Sequence, residues 1–371
     1  MENTENNNIH NNQIFPLIKN MKTLFISPLF IVSRSKIGLN RNKFPNLSVD
    51  EVKIPLFSYN FLMHPFLFPF FLMLSVPILL FYIKKNEINT IHCRNLLSSV
   101  LAVTIKKYFY NNINVISDFR GHYPEEGVIL NRWKHNSTSF RFWKWLEKKS
   151  LIHSTSCTFI SNSMKSYYNE IFPRDDYFFA PAIVDTKYFY FCPELRNEIR
   201  NKYRITDDEI VYIYTGSYGQ WHDLGVFYSM LEAHIKEYSI ESYRVFILSG
   251  QKSEQYSEYE DMHSTLTIKV APHEVNKYLC GADVGVLPGT QKTSISYDLL
   301  YKTMVSSKVE EYFCTGLQVL SNPRIGEVKA LSELTIASVV KFDRSSRGAF
   351  YQDIFSSTVV GKLYERLYQI D

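Results

Sequence analysis

Residues 210–219 read Ile-Val-Tyr-Ile-Tyr-Thr-Gly-Ser-Tyr-Gly, an apolar run that ends in two closely spaced glycines. A short apolar run bounded by glycine predicts a buried strand, Ile210–Thr215, that closes in a tight turn. The next segment, Leu224–Glu237, has the pattern of a helix. A strand, a turn and a helix in this order are the repeating unit of a parallel α/β sheet.

The same alternation continues toward the C-terminus. Two helices are predicted, Pro272–Leu279 and Lys308–Cys314, and a last helix covers Tyr351–Gln369. The predicted strands between them are Tyr243–Ser249, Leu266–Val270, Val284–Leu287 and Gln318–Ser321.

A similar run of elements precedes Ile210. Its predicted helices are Leu96–Phe109, Phe140–Ser154 and Ser163–Ile171. The chain of 371 residues exceeds what one hydrophobic core usually supports. It therefore predicts an α/β fold with two Rossmann-like, doubly wound parallel sheets. The predicted strands of the first sheet are Leu24–Pro28, Val52–Ile54, Thr90–Cys93, Asn114–Asp118 and Cys157–Ser161.

The joint between the two domains is predicted near Phe189–Glu194, where Pro193 breaks the chain. We expect the last helix to cross back to the N-terminal domain. The predicted segments are a loose leader, residues 1–20, an N-terminal domain, 21–190, a C-terminal domain, 191–350, and the final helix, 351–371.

The net charge of +4 is distributed unevenly along the chain. Residues 1–180 hold 21 Lys and Arg against 12 Asp and Glu, and residues 181–371 hold 20 against 25. A basic half suggests an anionic partner, such as a membrane surface or a phosphate-bearing acceptor. A solvated surface explains the same charges equally well. Nucleic acid is the weakest candidate, because the chain has no recognition motif.

Residues 54–83 contain no Asp, Glu, Lys or Arg. An uncharged segment of this length is long enough to cross a bilayer. Four prolines argue against a span, and Pro77 divides the most apolar stretch, 66–83. Two other readings remain open for this segment. One is a loop followed by a buried helix, and the other is a helix that inserts into the membrane interface.

Two groups of residues suggest a phosphate and sugar site in the second domain. The turn Gly216–Gly219 follows a strand, at the edge where doubly wound sheets bind ligands, and its glycines let phosphate approach the backbone. Lys308 and Glu311 are three residues apart and share one helix face. A plain turn and a surface ion pair are the alternatives.

Four segments resemble the family-4 retaining glycosyltransferases of the GT-B fold. The resemblance extends from about Met21 to the end and is strongest from Ala180 to Val328. The similar segments are Pro181–Thr186 with Phe189 (P-x-I/V-D-x-x-x-F), Thr215–His222 (G-S-x-G-x-W), Ala282–Pro288 (A-D-v-g-l-x-P) and Lys308–Leu320 (K-x-x-E-Y-x-x-x-G-x-P-V).

The resemblance implies a GT-B fold, with two Rossmann-like domains facing a central cleft, and a nucleotide-diphosphate sugar bound mainly to the C-terminal domain. It implies that Glu311 accepts hydrogen bonds from the ribose diol and that Lys308 neutralises the diphosphate. Glu310 takes the place of Glu311 if the register is shifted by one. No metal cofactor is implied, because no Asp-x-Asp motif follows a strand. The other donor-binding positions are Gly216, Ser217, Tyr218, Gly219, His222, Val270, Ser306 and Ser307.

This sequence departs from the family pattern at two positions of the donor site. The family often has a Glu eight residues before the ribose Glu, and here Thr303 stands there. A cationic residue commonly follows the glycine turn, and here the chain reads Gln220-Trp221-His222. The positive charge for a diphosphate must therefore come from Lys308, His222 or elsewhere.

The catalytic candidates lie in the first domain, after the strand Asn114–Asp118. The segment is similar to a D-x-R-G-x-x-x-E pattern in bacterial surface-polysaccharide members. We expect Asp118 and Arg120 to pair and one of the others to reach the acceptor hydroxyl or the leaving phosphate. A pair that only fixes the loop is the alternative. His92 at a neighbouring strand end ranks lower. The catalytic candidates are Asp118, Arg120, His122, Glu125 and Glu126.

The sequence as a whole predicts a retaining glycosyltransferase of O-antigen, capsule or lipopolysaccharide synthesis. Its acceptor would be a glycan or a lipid-linked oligosaccharide. Five cysteines without a close pair fit a reducing cytosol, so we expect a cytoplasmic enzyme at the inner face of the membrane. A GT-B nucleotide-sugar epimerase and a non-catalytic member of an assembly complex are the alternatives.

Overall fold

The computed structural model describes residues 23–30, 49–56, 64–219, 221–251, 256–303, 306–328, 331 and 343–368. The chain divides into two compact units, each built around its own parallel sheet. The first unit is Met1–Pro181 with Val360–Asp371, and the second is Ala182–Val359. The division after Pro181 lies nine residues before the predicted one.

The first unit contains a four-stranded parallel sheet in the order β3-β4-β5-β6. β1 and β2, which we predicted in this sheet, form a separate parallel pair, and β6 was not predicted. The strands are β1 Thr23–Phe30, β2 Val49–Leu56, β3 Thr90–Cys93, β4 Asn114–Phe119, β5 Ser156–Phe159 and β6 Tyr177–Phe179. The helices of this region are α1 Phe68–Lys85, α2 Leu96–Tyr108, α3 Tyr123–Ile129, α4 Thr138–His153 and α5 Asn162–Ile171.

Short polar side chains fix where the helices of the first unit begin. Asn95, Ser137 and Ser161 each accept a backbone N–H at the start of α2, α4 and α5. The helices cover the sheet with apolar residues, and β4 and β5 are almost fully buried. Burial on both faces is typical of parallel sheets, and it encloses polar residues of these strands as well, such as Ser117, Asp118 and Thr158.

Helix α1 runs through Pro77 without a break. The expectation that Pro77 divides this segment was therefore wrong. Proline cannot donate the hydrogen bond to the residue four positions earlier, here Met73, and both residues lie on the exposed face of α1. Among the described residues, α1 is the one helix long and apolar enough to cross a membrane, a test that core helices also pass.

The second unit has a five-stranded parallel sheet in the order β11-β10-β7-β8-β9. The strands proceed from β7 to β9 in one direction, and β10 then pairs on the other side of β7. The order therefore reverses between β7 and β10. The strands are β7 Ile210–Thr215, β8 Tyr243–Leu248, β9 Thr265–Ile268, β10 Val284–Leu287 and β11 Gln318–Ser321.

The helices of the second unit pack closely on this sheet. A Cβ atom at Gly285 of β10 would lie 2.4 Å from the Tyr312 ring, so the helix that carries Tyr312 lies directly on the strand. The helices are α6 Pro193–Lys202, α7 Leu224–Tyr238, α8 Ser257–Met262, α9 Val275–Gly281, α10 Ile295–Thr303, α11 Ser307–Cys314 and α12 Arg344–Phe355, followed by α13 Ser357–Tyr368.

Two predicted features of the chain path differ in the structure. Pro193 does not break the chain but occupies the first position of α6, where its missing N–H costs nothing. The expected single helix 351–369 is two helices that meet at Ser356. Ser356 is extended and forms a parallel bridge with Val184, whose N–H donates to the Phe355 carbonyl.

Candidate functional site

The carboxyl ends of β7 and β10 form the topological switch point of the second sheet, where open α/β sheets bind ligands. The loop after β7 continues into α7, which Asp223 caps through its carboxylate. The Asp223 N–H donates to the carbonyl of Gly289, at 2.7 Å, in the loop after β10. This bond holds the two loops together at the edge where we predicted the phosphate site.

Lys308 lies across the glycine turn. Gly216 has a φ of 100°, and a Cβ atom there would lie 2.6 Å from Lys308 Cε. Glycine is therefore required twice at this position, for its conformation and for the space that the lysine occupies. Gly219 also has a positive φ, of 148°, but a Cβ atom there would meet nothing within 4 Å.

The two neighbouring glutamates of α11 have different environments. Glu310 is fully buried, and its Oε1 accepts the N–H of Ala182 at 3.2 Å. It therefore anchors the start of the second unit. Glu311 lies three residues after Lys308 on the same helix face. Glu310 is therefore occupied by a backbone contact, and the assignment of Glu311 to a ligand stays a prediction.

Burial perturbs the three ionisable groups around the glycine turn. It raises the pKa of Glu311 to about 7, although the nearby Lys308 ammonium opposes the shift. It lowers the pKa of Lys308, with Glu311 opposing. Burial and the charge of Lys308 lower the pKa of His222 to about 3. His222 is neutral at physiological pH, so Lys308 is the cation of this group.

The other predicted donor positions lie at the same edge. Ser306 is at the N-cap of α11, but its hydroxyl does not cap the helix, so Ser307 and Lys308 begin a turn without a side-chain cap. Val270 follows β9 and is half-buried. Thr303 is buried, and its hydroxyl donates to the Leu299 carbonyl of its own helix at 2.7 Å.

Two further residues of this edge, Gln251 and Tyr188, were not predicted. The Tyr218 N–H donates to Gln251 Oε1 at 3.0 Å, which fixes the glycine turn from the loop after β8. The Tyr188 hydroxyl donates to the Pro272 carbonyl at 2.7 Å. Burial raises the pKa of Tyr188, and the charge of Glu311 adds to this shift. Tyr188 directly precedes the motif residue Phe189, which was the available sequence signal.

The first predicted pair of the other unit is confirmed. Asp118 at the end of β4 accepts from Arg120 Nε at 2.7 Å, and the Thr158 hydroxyl donates to its other oxygen at 2.9 Å. Arg120 also donates to the Tyr364 hydroxyl at 3.0 Å. His92 stacks on Tyr364. These contacts join the strand ends to helix α13. Asp118 and Arg120 therefore help to position this helix.

His122 and Glu125 belong to a second, buried network. Lys144 Nζ of α4 lies 3.1 Å from Glu125 and 2.5 Å from Glu147. The Tyr168 hydroxyl donates to Glu147 and lies 3.0 Å from His122 Nδ1. Burial raises the pKa of Glu125 to about 7 and lowers that of His122 to about 3. The ligand atoms of His122, Glu125 and Glu147 are close enough together for a metal, but Lys144 supplies the cation.

Glu126 is separate from this network. Its carboxylate lies over Gly121, where a Cβ atom would be 1.9 Å from Oε1. Burial raises the pKa of Glu126 to about 7, and the Arg132 guanidinium opposes the shift. Glu126 is only partly buried, in contrast to Asp118, His122 and Glu125. The catalytic roles of all five residues stay predictions.

No protein-family model matches the chain, and no curated protein matches it. Solved structures do match over most of its length. Sucrose-phosphate synthase from Thermosynechococcus elongatus has a TM-score of 0.57 and 13% identity, covering 88% of this chain and 84% of that chain. OtsA has a TM-score of 0.58 and 12% identity, covering 96% and 95%. Anabaena HepE in complex with UDP has a TM-score of 0.51 and 9% identity, covering 87% of both chains.

These likenesses define the class of fold. The chain has the GT-B fold of these glycosyltransferases, with a parallel α/β sheet in each of two units. The predicted fold class is confirmed. Identities this low show the fold alone, and family-4 membership and a surface-polysaccharide role stay predictions.

Proposed function

We propose that the protein is a retaining glycosyltransferase whose donor is a nucleotide-diphosphate sugar bound at the carboxyl edge of the second sheet. One observation carries this proposal. Lys308 lies across Gly216 at the topological switch point, and the same short helix carries Glu311 on the same face. A cation beside an open glycine turn suits a diphosphate, and a carboxylate three residues later suits a ribose diol.

Each part of the donor then has a partner. The diphosphate lies against Gly216–Gly219 and the start of α11, where backbone N–H groups and the helix dipole favour negative charge. Lys308 neutralises the phosphate charge that grows as the sugar bond breaks. Glu311 accepts two hydrogen bonds from the ribose. Hydrogen bonds to its charged form lower the pKa of Glu311, so nucleotide binding releases a proton near neutral pH.

The first unit supplies the acceptor side in this proposal. Glu126 is the only partly buried carboxylate among the predicted catalytic residues, and its pKa of about 7 suits proton transfer. Asp118 and Arg120 position the strand ends, Glu125 joins α3 to α4 through Lys144, and His122 contacts Tyr168 of α5. Positioning of the two substrates and stabilisation of the leaving diphosphate lower the barrier.

The finer substrate assignment follows from the chain's composition and its resemblance. The basic first half supports a lipid-linked oligosaccharide acceptor at the cytoplasmic face of the membrane, in O-antigen, capsule or lipopolysaccharide synthesis. The Anabaena HepE structures contain UDP and UDP-glucose, so uridine nucleotides are the first donors to test.

The test is thermal melting of the full chain with UDP, GDP, CMP and dTDP. A ligand at about 100 times its Kd adds about 2.7 kcal/mol to the free energy of unfolding, which raises the Tm by several degrees. We expect one diphosphate to raise the Tm of the wild type and to have no effect on Glu311→Ala. Glu310→Gln is the matched control, because glutamine keeps an oxygen for the Ala182 N–H.

Two outcomes would contradict the proposal. Loss of the shift in Glu310→Gln but not in Glu311→Ala would place the ribose contact elsewhere. No shift with any nucleotide would favour the non-catalytic alternative. If binding holds, conversion of a nucleotide sugar into its epimer without any acceptor would identify an epimerase instead.

A further inference from the structure

The two faces of helix α1 are both apolar, but only one of them is buried. The buried face consists of Phe68, Phe71, Val76, Leu79 and Ile83, which all belong to the core of the first unit. At about 100° per residue, five exposed apolar residues fall within an arc of about 100° on the opposite side. We name these residues the α1 stripe: Phe70, Met73, Leu74, Pro77 and Phe81.

The α1 stripe exposes large side chains to an unusual degree. Phe70 is 56% exposed, Met73 62%, Leu74 53% and Phe81 59%, and Phe66 just before the helix is 76% exposed. Single exposed apolar residues are common on protein surfaces, but a continuous patch marks an interaction site. The stripe therefore indicates a partner that accepts an apolar ridge.

The charges near the stripe are mainly positive. Lys84 and Lys85 end the helix, and Lys85 Nζ lies 5.8 Å from the centre of the Phe81 ring. Because β3 and β4 are parallel neighbours, the ends of α1 and α2 that precede them lie at the same edge. Lys106 and Lys107 of α2 are therefore at this edge as well.

Carboxylates offset these lysines only in part. Glu87 is exposed just after Lys85, and the exposed Glu170 and Asp175 precede β6, at the same edge of the sheet. Asp176 pairs with Arg174. On α4, Trp145 is 52% exposed with Lys149 Nζ 5.7 Å from its ring centre. The first unit therefore carries an apolar stripe whose neighbouring charges are mainly positive.

We propose that the α1 stripe inserts into the interface of an anionic lipid bilayer. An apolar ridge flanked by lysines is the pattern of helices that lie in the membrane surface. The helix cannot span the bilayer, because its other face is part of the protein core. A second copy is the competing occupant, and the oligomeric state of Met73→Asp separates it from a bilayer in the test below. This proposal does not depend on the transferase activity.

The test is flotation of the full chain with vesicles of phosphatidylcholine alone and of phosphatidylcholine mixed with phosphatidylglycerol. We expect binding to the anionic vesicles, and Met73→Asp lowers it at least ~10-fold because a charge replaces an inserted side chain. Met262→Asp is the matched control, because Met262 is 68% exposed on the second unit. It should bind as the wild type does.

A second variant tests the charges. Lys84→Gln with Lys85→Gln should lower the preference for anionic vesicles by roughly 10-fold or more, since each lysine near such a surface adds about fivefold. Met73 is exposed, so a melting curve like that of the wild type verifies the fold of the variant. Equal binding of Met73→Asp and wild type, or equal binding to neutral and anionic vesicles, overturns the proposal. A dimer that Met73→Asp abolishes, without vesicle binding, also overturns it and identifies a second copy.

Discussion

Glu311 is a buried acid whose ionisation opposes folding. Its pKa rises from an ordinary 4.5 to about 7 in the folded chain. Between these two pH values the folded state holds more protons than the unfolded state. The free energy of unfolding therefore falls as the pH rises through this window. Glu311 thus lowers the stability of the protein at a position that we assign to the ribose. Perturbed pKa values of this kind are typical of binding sites.

Glu311→Gln should remove this dependence. From about pH 4.5 to pH 7, the free energy of unfolding of the variant should rise relative to the wild type by about 2 to 3 kcal/mol. Urea unfolding of both proteins at several pH values measures the difference. The opposite shifts of His222 and His122, whose lowered pKa values favour stability at higher pH, are common to both proteins and cancel. A difference that stays constant with pH would contradict the prediction.

The glycine turn allows a prediction with an internal control. Gly216→Ala and Gly219→Ala both force a side chain into a positive φ, so each should cost about 1 to 2 kcal/mol of stability. Only the alanine at 216 also displaces Lys308. We therefore expect Gly216→Ala to weaken nucleotide binding at least ~10-fold, and Gly219→Ala to weaken it less, in isothermal titration. Equal losses would show that Lys308 does not contact the phosphates.

At the scale of elements, a buried ion network joins α3 to α4. Lys144→Met leaves Glu125 and Glu147 buried without their cation. The free energy of unfolding of the variant, measured by chemical unfolding, should therefore fall by about 3 to 5 kcal/mol. The double variant Lys144→Met with Glu147→Gln removes one of the two charges and should recover part of this loss. If the double variant is less stable than Lys144→Met, Lys144 does not act as the counter-ion.

Most strands of the two sheets could be predicted from the sequence, because apolar residues concentrate between turn residues in a buried strand. The three-residue strand β6 was missed. β3, β7, β10 and β11 begin and end at the predicted residues. Prediction failed where a distant contact decides the local conformation. Ser356 interrupts the last helix because Val184 pairs with it, and no property of residues 351–369 shows this.

The candidate site could be predicted only in part for the same reason. The spacing of Lys308 and Glu311 and the glycine turn are local signals, and the structure brings Lys308 onto Gly216. Which glutamate of α11 is anchored depends on Ala182, more than a hundred residues away. The partners of His122 and Glu125 likewise come from α4 and α5, which the segment 116–126 does not reveal.

At the scale of the whole molecule, the first unit is assembled from both ends of the chain. Residues 360–371 belong to it, although the second unit lies between them and the rest. Tyr364 is fully buried, stacks on His92 and accepts from Arg120. Val360 and Leu367 on the same helix are buried too. The final helix is therefore part of the core of the first unit rather than an appendage.

A chain that ends at Val359 should lose stability in the first unit only. Removal of Tyr364 and its neighbours should lower the free energy of unfolding of this unit by at least about 3 to 5 kcal/mol, as for other large buried side chains. Hydrogen exchange read by mass spectrometry should show faster exchange in β3–β5 and unchanged exchange in β7 and β10. Tyr364→Phe is the graded control, because it keeps the ring and removes only the hydroxyl, which bonds to Arg120 and Thr158, and it should cost about 1.5 to 3 kcal/mol. Equal loss of protection in both sheets would show instead that the two units unfold as one cooperative body, and the stability of the donor site would then depend on the last helix.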